Sequence, residues 1–504
     1  MNAAEVDFDN LIEHMKNYDF FEIEASDRIP LMNDKENIIR KLYLYEFLAQ
    51  KYNVVITNPP YMGTSGMNAE LSDYVKTNYP DSKSDLFAVF IEKCLQMTKS
   101  NFYTAMITQH AFMFLSSYEK LRSKLLLNDF VNMAHLGARA FEEIGGEVVQ
   151  TTSFAIRQTD IFDYNATYCG LLNYGSQKDK EMAYLKKDKN DLFYSDKNTF
   201  FRLPNHTFAY WVSTSLLTAF ENNKKLLFYG SPKQGFATGD NNRFLRLWYE
   251  VEFTQIGFKM PTREIAIESK RKWFPCNKGG SYRKWYGNND YVVNWENDGF
   301  EIRNFKDEKG KLRSRPQNMD RYFQEGLTWS TIANALSMRY SPMGFLFETK
   351  GSVCFVNNPA NKWYLLGLLN CKIVEKVLLI LSPTLDYHEG PLGKIPVIID
   401  DKCKEKINNI VLWNVKESKI DWDSFETSWD FQVHPLAKWG LDIMRKYSQG
   451  TLFSCSIEGA YGSWASFTEQ QFAKLKSNEE DLNRIFINIY GLQDELTPEV
   501  KKRM

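Results

Sequence analysis

The stretch VVITNPPYMG, Val54 to Gly63, joins a β-branched apolar run to an asparagine, two prolines and a tyrosine. A short apolar run bounded by turn formers predicts a buried strand. Proline lacks the N–H a sheet needs, so the chain leaves the sheet at Asn58. A polar amide, a fixed kink and an aromatic ring then lie together at a strand's C-terminal end, where open α/β sheets place their ligands.

Working outward, SDLFAVFIEKCLQM sets Phe87, Phe90, Ile91 and Cys94 on one helical face. FYTAMIT reads as a second strand. SYEKLRSKLL reads as a helix started by Ser116, with Glu119 as its capping-box partner and Tyr118, Leu121 and Leu125 on one side. FVNMAHL and VVQTTSFAIR are two further strands, separated by a turn-rich segment. Alternating strands and helices predict a parallel α/β sheet, with the last close pair an antiparallel hairpin at its edge. This block ends near Asp163. A Lys/Asp-rich connector follows, then a Trp-, Tyr-, Gly- and Asn-rich region of short strands. From about residue 401 the chain is helical and charged.

The 504 residues allow several domains. A net charge of −1 means that any nucleic-acid contact rests on a local basic patch. The seven cysteines form no C-x-x-C pair, which favours free thiols and a reducing compartment. The N-terminus carries no signal peptide, and the most apolar window, Trp363 to Ser382, holds Lys372, Glu375 and Lys376. These features predict a cytoplasmic protein without a membrane span.

The exocyclic amine of adenine is a poor nucleophile, because its lone pair is delocalised into the ring. Two hydrogen-bond acceptors favour the more tetrahedral nitrogen that can attack a methyl group. Asn58 offers a side-chain carbonyl and Pro59 a backbone carbonyl, while Pro60 fixes the loop. Tyr61 stacks on a base taken out of the helix. No metal or general-base histidine is required. The bland alternative is a proline-rich strand terminator.

TNPPYMG, SDLFAVFIEKCLQM, FYTAMITQHAFMF and GGEVVQTTSFAIR resemble, in order, the motifs of amino-methylating adenine DNA methyltransferases. PKQGFATGDNNRFLRLWYEV, CNKGGSYRKWYGNNDYVVNWENDG and YLLGLLNCKIVEKVLLILSPTLDYHEGPLGKIPV resemble the target-recognition region of the PglX-type enzymes of bacteriophage-exclusion (BREX) systems. The resemblance implies an S-adenosylmethionine-dependent enzyme acting on double-stranded DNA with a flipped adenine, working among other phage-defence proteins. It implies a partial Rossmann-like methyltransferase sheet, then a mixed α/β recognition domain, then a helical segment. The divisions are a helical lead over 1–50, the C-terminal half of a catalytic domain over 51–165, a connector over 166–225, the recognition domain over 226–400 and helices over 401–504. Asn58, Pro59, Pro60 and Tyr61 are the implied catalytic loop, Asp85 and Phe87 lie near the cofactor pocket, and Gly145 to Thr151 near the flipped base.

One family feature is missing. Such enzymes hold the methyl donor on a glycine-rich turn upstream of the catalytic loop, and no glycine precedes Gly63. The expectation is a fragment or split subunit whose N-terminal half is separately encoded. Its strand Val54–Thr57 would keep an unpaired apolar edge. The rival reading is a catalytically inactive recognition module; a restriction–modification fusion remnant has no credible nuclease motif to support it.

Between Arg263 and Tyr286 lie seven Lys/Arg against Glu264 and Glu268, interleaved with aromatic rings. Basic groups pair with phosphates and rings stack on bases, so Lys278, Tyr282, Arg283, Lys284 and Trp285 are DNA-binding candidates. Arg243, Arg246, Arg339 and Lys394 are weaker ones. FPC at Phe274–Cys276 reads as a structural thiol, ESK at Glu268–Lys270 as a chance match to a nuclease triplet, and DYHEG at Asp386–Gly390 as a turn before a strand KIPV. No metal site is expected.

Overall fold

The fold is taken from a computed structural model that describes residues 6–20, 23–141, 149–382, 386–440 and 456–500. The chain divides into two units, Met1–Trp211 and Val212–Met504.

In the first unit, β1 (Tyr52–Thr57) is the edge of a six-stranded sheet. The other strands are β2 (Thr98–Gln109), β3 (Asp129–Gly137), β4 (Thr151–Arg157), β5 (Ala166–Gly170) and β6 (Leu192–Ser195), in the order β1-β2-β4-β3-β5-β6. β1 pairs parallel to β2, with Thr57 opposite Met106, and β3 pairs parallel to β5. β4 runs antiparallel between β2 and β3. The expected hairpin is therefore present, but in the middle of the sheet. The sheet also runs past Asp163, because β5 and β6 extend it through the segment read as a connector.

Helices α1 (Phe8–Asn17) and α2 (Ala25–Ala49) precede β1, and α3 (Ala69–Asn78) and α4 (Leu86–Met97) follow it. Asn68 starts α3 by accepting from Leu71 N–H, and Asp85 starts α4 by accepting from Phe87 N–H. α5 (Glu119–Leu125) departs from expectation: Ser116 opens a 3₁₀ turn, and Tyr118 occupies the cap position without a side-chain bond. Its Tyr118, Leu121 and Leu125 are nevertheless buried as the apolar spacing requires.

One face of the sheet forms the core, where Met106, Met133, Phe154 and Ile156 meet Phe87, Ile91 and Leu121. On the other face, α6 (Gln177–Lys186) covers only the β5 end, through Ala183 against Cys169 and Leu171. Towards β1 that face is open. Ile56, Ala105, Ala155 and Asn132 form one cross-strand row on it, and Val54 and Ile56 are 53% and 73% exposed.

The second unit holds two four-stranded sheets. β9 (Trp273–Asn277) and β10 (Tyr291–Asn294) form a hairpin flanked by β13 (Leu346–Phe347) and β8 (Leu245–Leu247). The other sheet takes the order β12 (Met338–Ser341), β11 (Gly326–Trp329), β14 (Val353–Val356), β7 (Gly230–Lys233). A helical layer follows: Lys362–Leu369, Lys372–Leu381, Asp401–Trp422 and Ile457–Tyr490. A Cβ at Gly367 would stand 2.9 Å from Val411 and 3.3 Å from Ile407, so glycine lets the first and third of these helices approach closely. KIPV is not a strand. Its Pro396 makes a single bridge to Lys225, and His388 is the cap position of the short helix Glu389–Gly393.

Candidate active site and nucleic-acid interface

The NPPY loop begins where β1 ends. Asn58 and Pro60 are exposed and Pro59 is buried. Tyr61 is half-buried, with its ring edge-on to Phe87 at 6.2 Å and its hydroxyl 3.5 Å from the Ile107 carbonyl of β2. Burial raises the Tyr61 pKa, which keeps the phenol neutral.

The loop is clamped from behind by Asp85. Its Oδ1 accepts from Met62 N–H at 2.9 Å and from Phe87 N–H at 3.2 Å, and Leu86 N–H donates to the Met62 carbonyl at 3.0 Å. The aspartate thus starts α4 and anchors the NPPY loop at once. Phe87 is 1% exposed and belongs to the core. The two residues expected near the cofactor are therefore turned into loop and core, and do not by themselves form a cradle for a methyl donor.

The strand directions bring Thr57, Gln109, Gly137 and Thr151 to one end of the sheet. Thr151 is fully buried, and its Oγ1 has no hydrogen-bond partner among the described residues. Gly145 to Val148, expected near the flipped base, lie outside the described residues. Just beyond β2 sits a histidine pair that sequence reasoning missed. His110 Nδ1 and His135 Nε2 are 2.8 Å apart, and His135 Nδ1 is 3.2 Å from the Tyr210 hydroxyl. Burial pushes His110 down to about 4; burial, then His110 and Lys180, push His135 to about 3. Both rings are neutral near pH 7. The two histidines lie 25 residues apart with no spacing signal, so only the β2–β4–β3 pairing reveals them.

In the second unit the structure separates the DNA-binding candidates. Trp285 and Arg339 are 1% and 2% exposed, so neither can touch DNA in this conformation. Trp285 Nε1 donates to Glu479 at 2.8 Å, and Arg339 donates to the Arg283 carbonyl at 3.3 Å. Lys284 is likewise engaged: its Nζ lies 3.0 Å from Glu479 and 3.1 Å from the Asn370 carbonyl. Burial alone would lower the Lys284 pKa, yet Glu479 holds it above the ordinary lysine value. The adjacent Lys284 and Trp285 both turn inward onto Glu479 of the helix Ile457–Tyr490, and Arg339 of β12 packs beneath the same run. Arg283 pairs with Asp421 at 3.1 Å and lies over the Trp422 ring. Arg243 is exposed and pairs with Glu301, while Arg246 donates to the Asn242 and Leu245 carbonyls. Tyr282 is 41% exposed, and Lys278 lies 3.9 Å from the Tyr291 ring centroid. Cys276 of FPC is buried and its thiol is pushed up by burial. Glu268 ends the helix Arg263–Glu268, and Asp240 caps the helix Asn241–Phe244.

The Eco57I restriction-modification methylase family matches residues 2–139, the segment that carries the NPPY loop and its clamp. The adenine-specific methyltransferase PglX of Lacticaseibacillus casei (strain Zhang) is 40% identical over 483 residues, covering 94% of this chain and 39% of PglX. The adenine-specific methyltransferase BrxX of Escherichia coli O9:H4 (strain HS) is 36% identical over 458 residues, covering 89% of this chain and 35% of BrxX. The chain is a relative of the PglX-type methyltransferases.

It spans less than two fifths of the length of both relatives. Among solved structures, the Type IIL restriction-modification enzyme MmeI in complex with DNA matches with a TM-score of 0.52 at 11% identity, covering 88% of this chain and 55% of MmeI. At that identity the likeness speaks to the fold alone. Among its described residues no helix is long and apolar enough to cross a membrane.

Proposed function

We propose that this chain carries the amine-binding loop and the target-recognition part of a site-specific DNA adenine N6-methyltransferase. The observation that supports this best is the NPPY loop itself, held at the open end of β1 by Asp85 with Asn58 exposed. In this reading the Asn58 side-chain carbonyl and the Pro59 main-chain carbonyl accept the two N–H bonds of a flipped adenine. That raises the nucleophilicity of N6 towards the methyl group of S-adenosylmethionine, and Tyr61 packs on the base. Residues 226–400 supply sequence recognition and 401–504 buttress them.

The open sheet face supports a second element of the reading. Parallel strands are normally covered on both faces, and here Val54 and Ile56 stand exposed beside an unpaired β1 edge. A strand-and-helix layer bearing the glycine turn completes the sheet there and brings the methyl donor, whether in one longer polypeptide or as a separately encoded half. Other phage-defence proteins act with the assembly. The rival reading is sequence recognition without catalysis.

Substitution Asn58→Ala separates the two. In the assembled enzyme it abolishes adenine methylation and leaves duplex-DNA affinity within about twofold, because only an acceptor at the reacting amine is removed. Equal loss of methylation and DNA binding would assign Asn58 a structural role instead.

A further inference from the structure

Three of the seven Lys/Arg in the basic run that stands out in the sequence are spent on internal ion pairs. Arg263 pairs with Asp298, Arg283 with Asp421 and Lys284 with Glu479, and Arg339 is buried. A second cluster is more exposed, with Arg315 donating to Gln234 Oε1 at 3.0 Å. The ten residues from Lys306 to Arg315 hold five Lys/Arg (Lys306, Lys309, Lys311, Arg313, Arg315) against Asp307 and Glu308. All five are exposed, and among the described residues none forms an ion pair.

The cluster sits on a built hairpin. Lys306 bridges Leu312, Asp307 N–H donates to the Lys311 carbonyl at 2.8 Å, and Arg313 N–H donates to the Phe305 carbonyl at 2.9 Å. Gly310, with φ +77°, makes the turn that other residues resist. Asp307 accepts from Lys309 N–H at 3.0 Å and Lys311 N–H at 2.9 Å, so its negative charge serves the turn and not the lysines. Arg315 and Ala237 exchange both backbone hydrogen bonds, which fastens the hairpin to the domain. Arg243 and Arg313 each lie 5.1 Å from the Phe305 ring centroid, one from the neighbouring helix and one from the hairpin. Five positive charges against Asp307 and Glu308 leave the hairpin with a net positive charge, and an anionic partner relieves the repulsion among them.

We propose that this hairpin, Phe305 to Arg315, is the surface that grips the phosphate backbone of duplex DNA. The proposal rests on the DNA-recognition reading above and gives it a specific phosphate-binding surface. Lys311, Arg313 and Arg315 fall at two-residue spacing in an extended run, with Ser314 buried between the last two. Such a row tracks a polyanion without reading bases, so it sets affinity and leaves sequence choice to other residues.

The test is the salt dependence of binding to a fluorescent mixed-sequence DNA duplex, with the full chain. The variant combines Lys306→Gln, Lys309→Gln and Lys311→Gln. The charge-matched control combines Lys402→Gln, Lys406→Gln and Lys416→Gln, all exposed on the helix Asp401–Trp422. The slope of log K against log salt becomes shallower by about 0.9 for each phosphate that is no longer neutralised. The hairpin variant should therefore flatten that slope by about 2 to 3, with the control unchanged and both melting like the parent chain. Equal slopes for hairpin variant and control, with the parent binding duplex, would overturn the hairpin assignment alone. No duplex binding by the parent would overturn the recognition reading beneath it. A slope change seen on RNA and not on duplex DNA would overturn the choice of ligand.

Discussion

Asp85 shows how one residue serves two levels of structure. Its carboxylate caps α4 and holds Met62 in the catalytic loop, so Asp85→Ala should cost about 1 kcal/mol of stability, read by urea unfolding. The same variant should lower methyl transfer more than DNA affinity, because the loop loses its anchor. Glu479 is the counterpart in the second unit. It satisfies both Lys284 and Trp285, and its removal strands a largely buried ammonium, so Glu479→Ala should cost about 3–5 kcal/mol. The placing of Asn58, Pro59, Pro60 and Tyr61 just past the end of β1 was legible in four letters, because two prolines close the β-branched run there. The inward turn of Lys284, Trp285 and Arg339 was not legible. Lys284 and Trp285 depend on Glu479, up to 195 residues away, and Arg339 on the Arg283 carbonyl, 56 residues before it. Composition reports that charges are close in sequence, and only the fold reports which are already neutralised.

At the scale of elements, periodicity located β1 to β4 and α4 because each presents one apolar face to a common core. It misplaced the β3–β4 hairpin, because a hairpin's sequence fixes its own register but not the strand beside which it inserts. The capping signal at Ser116 failed for a related reason: the preceding loop turns in 3₁₀ geometry, and α5 starts later. The histidine pair exists only because β4 brings β2 and β3 to either side of itself. Its consequence is a pH dependence of the first unit. Unfolded histidines protonate near 6.5, whereas His110 and His135 hold out to about 4 and about 3. Between those limits the unfolded state binds more protons, so stability is full above about pH 6.5 and falls as the pH drops towards 4. Thermal melts at pH 7 and pH 5 should show the decline, and His110→Asn with His135→Asn should flatten it.

At the scale of the whole molecule, the decisive feature is asymmetry. One face of the catalytic sheet is closed by α4 and α5, and the other is open from β1 to β4, with Ile56 73% exposed. β1 lies at the end of the sheet. Under the proposed function this chain supplies acceptors and recognition to an assembly, and the layer that covers the open face brings the methyl donor. The most direct test is methyl transfer from labelled S-adenosylmethionine to unmethylated duplex DNA, with the product base identified. It compares this chain alone with its mixture with the polypeptide of the adjacent upstream reading frame. The account predicts N6-methyladenine in the mixture only, abolished by Asn58→Ala. Methylation that survives Asn58→Ala, or no adenine methylation in either reaction, would contradict it.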